Sequence, residues 1–511
     1  MIRSPILFIT LALSVLSGAD QLFALEAKYK QPNIFFILSD DHALEAIGAY
    51  GSWLKDYVQT PTIDRLAAEG MLFTNVCCNN SICSPSRASI LTGQYSHTNG
   101  ARGLNGTIAP GSPWVSVGLQ KAGYQTAVFG KWHLQNTPRG FDDYGVTRKQ
   151  GKYFNPTFNS PRGQRKYEGY ATDVYTDVAL EWLKRREPSK PFCLMLHFKA
   201  PHHPYDYPRR HDKLLEGIAV PEPPSLREDV EQTSPLLKAR LSQQMDRNRS
   251  YYERHKDDER PPMEPHDPTS RKDRVRAAYQ HMIKKYIRCV TAVDDNVGRV
   301  LKYLDEEGLV RRTVVIYTSD QGYWLGQHGL YDKRLILEES MRMPLIARYP
   351  GEIPPGTICD AMGSNVDFAE TLLDFAGAPI PAAMQGRSLR PLMRGGATPA
   401  DWRRAVFYSY WAGPSHWGVR TERYKLVHFP GSEEIEFYDL LRDPREMKNV
   451  AGEAEYSASI AATEKELRRL MSEVGIRSEQ LPTGRGGKAR SERAPRGERK
   501  KKRKEKKGSR K

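Results

Sequence analysis

Cysteine is scarce in this chain. Six stand among 511 residues, Cys77, Cys78, Cys83, Cys193, Cys289 and Cys359. That excludes a disulfide-built scaffold and leaves room for one structural bridge in an oxidising compartment. Cys193 sits in the apolar run Pro191–Phe198 and reads as a buried core residue. Internal repeats are lacking, which excludes solenoids and propellers. Beyond the N-terminal segment no apolar run approaches the roughly 20 residues that a membrane-spanning helix needs. What is present is an ordinary globular mixture, 39% hydrophobic and 27% charged, so wholesale disorder is excluded. The length is ample for a deep core and a buried site.

Charge is abundant but unevenly placed. Lys and Arg number 77 against 61 Asp and Glu, a net charge of +16, which taken whole invites a nucleic-acid partner. Residues 483–511 alone hold 15 Lys and Arg and 3 acids, a net of +12. The rest of the chain therefore carries +4 of the +16, and no specific nucleic acid is expected. The 483–511 stretch has no apolar periodicity, so it is expected to be a disordered basic tail. A polyanion contact through it is one reading, a solvated tail without a partner the other. At the opposite end, Met-Ile-Arg precedes an apolar run from Pro5 to Leu16 and small residues at Ser17-Gly18-Ala19. That pattern describes a secretory signal peptide over residues 1–24, cut after Ala19 or Ala24, with an uncleaved anchor as the alternative. Export to a periplasm or to the cell exterior is the expectation.

Asn33–Leu38 is a continuous apolar run that ends in Ser39-Asp40-Asp41-His42, the pattern of a buried strand opening into a polar loop. Pro61–Glu69 reads as a helix with Thr60 as its cap. Further strands are expected at Thr126–Phe129, Pro191–Phe198, Thr313–Ser319 and Pro344–Tyr349, with helices at Thr172–Arg186, Arg274–Glu307 and Val366–Phe375. Such alternation predicts an α/β domain over residues 30–379, a large mixed but mostly parallel sheet between helices. Active residues of such sheets gather at the carboxyl ends of strands, where Asp40 and Asp320 both fall. Tyr205–Lys272, rich in Pro, Arg and Tyr, reads as an inserted loop region that shapes a cleft. Residues 380–476 predict a smaller α+β subdomain with a short antiparallel sheet.

The most informative segment is Cys83-Ser84-Pro85-Ser86-Arg87-Ala88-Ser89-Ile90-Leu91-Thr92-Gly93. Its Cys-x-Pro-Ser-Arg core arises by chance on the order of once in a thousand such chains. Pro85 and Ser86 open a helix, so Cys83 falls at a helix N-terminus, where free N–H groups favour an anion. On those facts alone Cys83 is a candidate low-pKa thiolate nucleophile, with an inert cysteine as the alternative.

From Asn33 to about Asn449 the chain resembles the formylglycine-dependent sulfatases of the alkaline-phosphatase superfamily. The Cys83–Gly93 segment is the signature, and other blocks agree in order: Asp40-Asp41, Gly130-Lys131-Trp132-His133, Lys199-Ala-Pro-His202-His203-Pro204, Thr318-Ser-Asp320-Gln321-Gly322, Leu325-Gly-Gln-His328-Gly329 and Lys333. The resemblance implies that Cys83 is oxidised to formylglycine by a maturase. The hydrated aldehyde offers one hydroxyl to attack sulfur, giving a covalent sulfoenzyme, and a second that expels sulfate as the carbonyl re-forms. It further implies one Ca2+ held by Asp40, Asp41, Asp320, Gln321 and the modified Cys83. Gln321 stands where many relatives have Asn or His, and its carbonyl oxygen suits a hard cation. Arg87, Lys131 and Lys333 are carried over as cations for the sulfate, Arg87 one helical turn beyond Cys83 and in reach of its side chain. His133 matches the residue that hydrogen-bonds the diol and His202 the one near the leaving oxygen, candidate base and candidate acid. His203 and His328 are assigned only to the surroundings of the site or to the substrate pocket, and His42 is left open.

The stretches Ser319–His328 and Glu338–Pro344 are similar to carbohydrate sulfatases, among them those acting on 6-sulfated N-acetylglucosamine, so a sulfated carbohydrate is the expected substrate. Tyr205–Arg210, Tyr251–Arg260, Trp411, His416 and Trp417 are candidates for a sugar site, with a structural role as the equal alternative. A phosphodiesterase or phosphonate monoester hydrolase of the same superfamily, and a polyanion-binding protein acting through its tail, are the alternatives.

Overall fold

The computed structural model describes residues 31–227, 234–238, 244–246 and 250–484. The expected signal peptide at 1–24, and the basic tail from residue 485 on, lie outside the described residues.

Asn33–Asp40 is a strand buried at every position. A continuous apolar run fits there because helices cover both faces of the sheet. Ile34, Phe36 and Leu38 enter one core, while Phe35 and Ile37 enter the other. This strand lies inside an eleven-stranded sheet, parallel to Phe192–Pro201 on one side and to Thr313–Ser319 on the other. Gln125–Lys131 and Asp143–Thr147 continue the parallel set. Arg342–Arg348 runs antiparallel between Thr313–Ser319 and Met71–Cys77, which makes the sheet mixed. Helices Pro61–Ala68, Ala171–Arg185 and Arg271–Glu306 pack into the core on one face. Cys83–Thr92, Val115–Lys121 and Asp367–Phe375 pack on the other.

The C-terminal part forms an antiparallel sheet of four strands, Ala405–Tyr410, His416–Thr421, Tyr424–His428 and Ile435–Asp439. Helix Ser457–Glu473 covers one face of it through Leu467 and Leu470. The other face meets the large domain, where Val406, Tyr408 and Val427 share a core with Leu335, Ile336 and Met341. Lys425, fully buried, bridges Glu338 at 2.9 Å and Glu446 at 2.6 Å across that junction. Among its described residues the insertion Tyr205–Lys272 carries short helices, Tyr251–His255 being one of them. All six cysteines are free, so the one bridge that the sequence allowed is not formed. No helix among the described residues is long and apolar enough to cross a membrane.

Gly130, next to Lys131 in the strand, lets the backbone pass close to the neighbouring strand. Its φ is 110°, and a Cβ there would stand 2.0 Å from the carbonyl oxygen of His197. Strained backbone and a clash with an immovable neighbouring strand together cost about 2–4 kcal/mol. Gly130→Ala is therefore expected to lower the thermal midpoint by several degrees, and an unchanged midpoint in a melting experiment would contradict this packing.

Candidate active site

Strand register builds the floor of the site. Ser39 and Ser319, 280 residues apart, stand side by side across two parallel strands. The chain therefore leaves the sheet at Asp40 and at Asp320 next to each other, as strand-end placement predicts. Asp41 adopts φ 66°, an uncommon conformation for a residue with a side chain. The turn lets its N–H donate to Asp320 Oδ1 at 3.1 Å, while its carbonyl accepts from Tyr286 at 2.5 Å. Oxygens of Asp40, Asp41 and Asp320 all lie within 4.8 Å of one another, and all three residues are fully buried.

Three cations answer these carboxylates. Arg87 donates from Nε to Asp320 at 2.9 Å, from Nη2 to Asp40 at 3.4 Å and from Nη1 to the Lys131 carbonyl at 2.8 Å. Sequence reasoning aimed Arg87 at the Cys83 side chain; its hydrogen bonds go instead to the carboxylates, which it holds in place. Lys131 Nζ donates to Asp40 and, at 2.5 Å, to Gln150, and it lies 3.7 Å from Cys83 Sγ. Lys333 Nζ donates to Asp41 at 2.5 Å. Burial would raise Asp40, but Lys131 foremost, then His202 and Arg87, hold it well below the usual carboxylate range. For Asp41 burial outweighs Lys333 and lifts the carboxyl to about 6. Asp320 is pushed up to about 8 by burial and by the charge of Asp40, against Arg87.

Helix Cys83–Thr92 is buried along its whole length and brings Cys83 to this cluster. Its first turn is tied down by Ser84, which donates to the His133 carbonyl at 2.6 Å, and by Ser86, which donates to the Asp320 carbonyl. Ser86 in turn accepts from Asn365 at 2.8 Å. The thiolate reading of Cys83 does not hold. Burial, with Asp40 beside it, outweighs Lys131 and pushes the thiol up to about 12, so the unmodified residue is a neutral thiol. A helix N-terminus supplies less than desolvation removes.

A cavity of about 320 Å³ opens above Cys83, lined also by Gln150, His202, His203, Tyr323 and Lys333. His202 donates from Nδ1 to the His203 carbonyl at 2.5 Å, which leaves Nε2 facing Asp41 at 3.6 Å. Burial and Lys333 hold its pKa well below 6.5, so the ring is neutral here. His133, at φ 57°, is likewise neutral: burial and then Lys131 push it down to about 2, and its Nδ1 is buried without a hydrogen-bond partner. His42 is structural, bonded to Tyr317 at 2.5 Å and Ala46 at 3.1 Å. His328 is buried near Glu339, 3.9 Å away. Trp411, His416 and Trp417 do not line the cavity. Trp411 donates to the Gln480 carbonyl, Trp417 stacks on His428, and His416 stacks on Tyr408. Sequence reasoning missed Gln150 and Tyr286, which lie in no motif. Lys199 was quoted only as part of a block, yet it is buried over the Tyr153 ring and lowered to about 8 by burial and Lys131.

The donor set fits a hard divalent cation. Three buried carboxylates converge, two of them with pKa values raised by unrelieved burial and like charge, and the Gln321 Oε1 is buried with no hydrogen-bond partner. Gln321 Nε2 donates to Asp41 at 2.5 Å and lies 3.8 Å from Cys83 Sγ. Oxygen donors of this kind hold Ca2+ or Mg2+. Native protein carrying an unmodified Cys83 is expected to resist thiol alkylation at pH 8, since the thiolate forms only near pH 12 and the sulfur is buried. Peptide mapping after labelling checks this, and ready labelling of Cys83 without denaturant would overturn it.

A family model described as Sulfatase matches residues 32–378, and one described as N-sulphoglucosamine sulphohydrolase, C-terminal, matches 326–473. The N-acetylglucosamine-6-O-sulfatase of Bacteroides thetaiotaomicron is 39% identical over 510 residues, covering 91% of this chain and 90% of that protein. Human N-acetylglucosamine-6-sulfatase is 28% identical, covering 78% of this chain and 71% of its own. A solved structure of a protein in complex with its substrate, D-glucosamine-2-N,6-O-disulfate, superposes with a TM-score of 0.81 at 37% identity, covering 88% of this chain and 99% of that one.

Proposed function

This chain belongs to the sulfatase family and is a sulfuric ester hydrolase, and we propose that its substrate is a 6-sulfated glucosamine or N-acetylglucosamine unit of a sulfated carbohydrate. The observation that carries this reading is the meeting of Cys83 with Lys131, Lys333 and the three carboxylates at the base of one cavity. The substrates named for the two most similar proteins above supply the sugar.

The chemistry asks for an anion site, a nucleophile and a proton for the leaving oxygen. When a maturase has oxidised Cys83 to formylglycine, the hydrated aldehyde supplies the nucleophile and the second hydroxyl that releases sulfate. Asp40, Asp41, Asp320 and Gln321 would hold Ca2+, which supplies positive charge to the sulfate oxygens and to the nucleophile. Lys131 and Lys333 flank position 83 and take the remaining sulfate charge. Arg87 helps to hold Asp40 ionised and fixes both Asp40 and Asp320 in place, a positioning role. His133 is neutral, the form that a base needs. His202 offers Nε2 to the leaving oxygen, its Nδ1–H fixed by the His203 carbonyl. Asp40 raises the basicity of that nitrogen, whereas Lys333 lowers it, so an ester anion that engages Lys333 favours the protonated acid.

Two measurements test the reading. Protein co-expressed with a maturase is expected to show formylglycine at position 83 by peptide mass spectrometry and to release sulfate from N-acetylglucosamine-6-sulfate. Cys83→Ala should lose at least about a thousandfold in kcat, in keeping with removal of a nucleophile. Retained sulfate release in that variant would sink the mechanism, and faster turnover of phosphonate monoesters than of sulfate esters would favour the phosphonate hydrolase alternative. Separately, Ca2+ added to chelator-treated protein is expected to raise the thermal midpoint, because it binds only the folded site. Asp320→Asn should abolish that rise; an undiminished rise would place the cation elsewhere.

A further inference from the structure

Of the cations on the cavity wall that the chemistry above does not use, one is left without a carboxylate partner among the described residues. Three basic side chains line the cavity, Lys333, Arg334 and Arg254. Lys333 is neutralised by Asp41 at 2.5 Å, and Arg334 by Asp332 at 2.8 Å. Arg254 has no carboxylate partner among the described residues. Its hydrogen bond runs from Nη1 to the Tyr331 hydroxyl at 2.5 Å, and the residue as a whole is exposed.

Arg254 is also not a loose surface arginine. It sits on the short helix Tyr251–His255 contributed by the insertion, and that helix is pinned on both sides of it. Tyr251 is fully buried, stacks on His255 with ring centres 4.2 Å apart, and bonds His281 at 2.9 Å. His255 donates from Nδ1 to Asp258 at 2.9 Å, and Asp258 also accepts from Lys285 at 3.1 Å. Since the carboxylate fixes the proton on Nδ1, the other nitrogen of neutral His255 accepts from His203 Nε2, 2.9 Å away. His203 is itself a cavity residue, so the Asp258–His255–His203 chain ties the helix to the cavity wall. An aligned guanidinium facing a cavity already built for one anion is the arrangement that reads a second one.

We propose that Arg254 forms a second anion subsite of the active cavity, taking a charged group other than the scissile sulfate. Resting on the substrate reading above, the group is either an N-sulfo substituent on the same sugar or a carboxylate on the adjoining one. The subsite makes the enzyme select doubly charged sugars over singly charged ones.

The test compares kcat and KM for three substrates, wild type against Arg254→Gln. N-acetylglucosamine-6-sulfate has no second charge. Glucosamine-2-N,6-O-disulfate has one on the same ring, and a uronate-linked N-acetylglucosamine-6-sulfate disaccharide has one on the next. Arg254→Gln is expected to raise KM about tenfold on one doubly charged substrate, the loss of one charge-assisted hydrogen-bonded contact. On the singly charged sugar it should change kcat/KM less than about twofold, and Arg254→Lys should restore part of the loss. Whichever doubly charged substrate responds identifies the source of the anion. Equal losses on all three substrates, or none on any, would overturn the subsite. Failure of the substrate reading looks different, because wild-type enzyme would then cleave none of the three.

Discussion

Three buried carboxylates whose oxygens lie within 4.8 Å of one another are the constraint around which this molecule is organised. Asp40, Asp41 and Asp320 repel each other in a low-dielectric interior, and each would be neutral without compensation. Arg87, Lys131 and Lys333 provide it, and each comes from a different element. The carboxylates are held by the ends of two parallel strands, Arg87 by the Cys83 helix, Lys131 by the end of a third strand, and Lys333 by the loop before Arg342–Arg348. Removing one partner of such a buried set typically costs 3–5 kcal/mol, since the charge left behind stays buried. Closure of the fold and assembly of the site are thus the same event.

That constraint also explains why the reactive position is inert as it is made. A thiol beside Asp40, far from water, cannot ionise near neutral pH. The same surroundings suit an uncharged nucleophile flanked by lysines that accept an anion. The raised Asp41 and Asp320 carboxyls and the unpartnered Gln321 oxygen mark where added positive charge would be best received. The insertion between residues 205 and 272 adds a separate layer. It supplies cavity wall rather than chemistry, through Arg254 and the histidine chain that anchors it.

Much of this was legible in the order of residues. Asn33–Asp40 reads as a two-sided buried strand because it has no polar face, and the structure places it inside the sheet. Asp40 and Asp320 are recognisable as strand-end residues, and the Cys83 segment as a helix start. The antiparallel Arg342–Arg348 strand was not legible as such, since direction depends on which neighbours a strand finds. Gln150 and Tyr286 were invisible for a similar reason. Each lies in an unremarkable stretch and matters only through contact with Lys131 or Asp41. Trp411, His416 and Trp417 misled, because aromatic residues that pack a small sheet have the same composition as those that line a sugar site.

The sequence by itself determined the elements, the residue types available for chemistry, and the short pattern around Cys83, because each of these is a local matter of polarity and spacing. Tertiary structure alone decided the charges. Whether Cys83 is a thiolate, whether Arg87 faces the substrate or the carboxylates, and whether Arg254 has a partner all depend on groups tens to hundreds of residues away. Electrostatic energy in a buried site is a sum over neighbours in space, and no reading along the chain contains that sum.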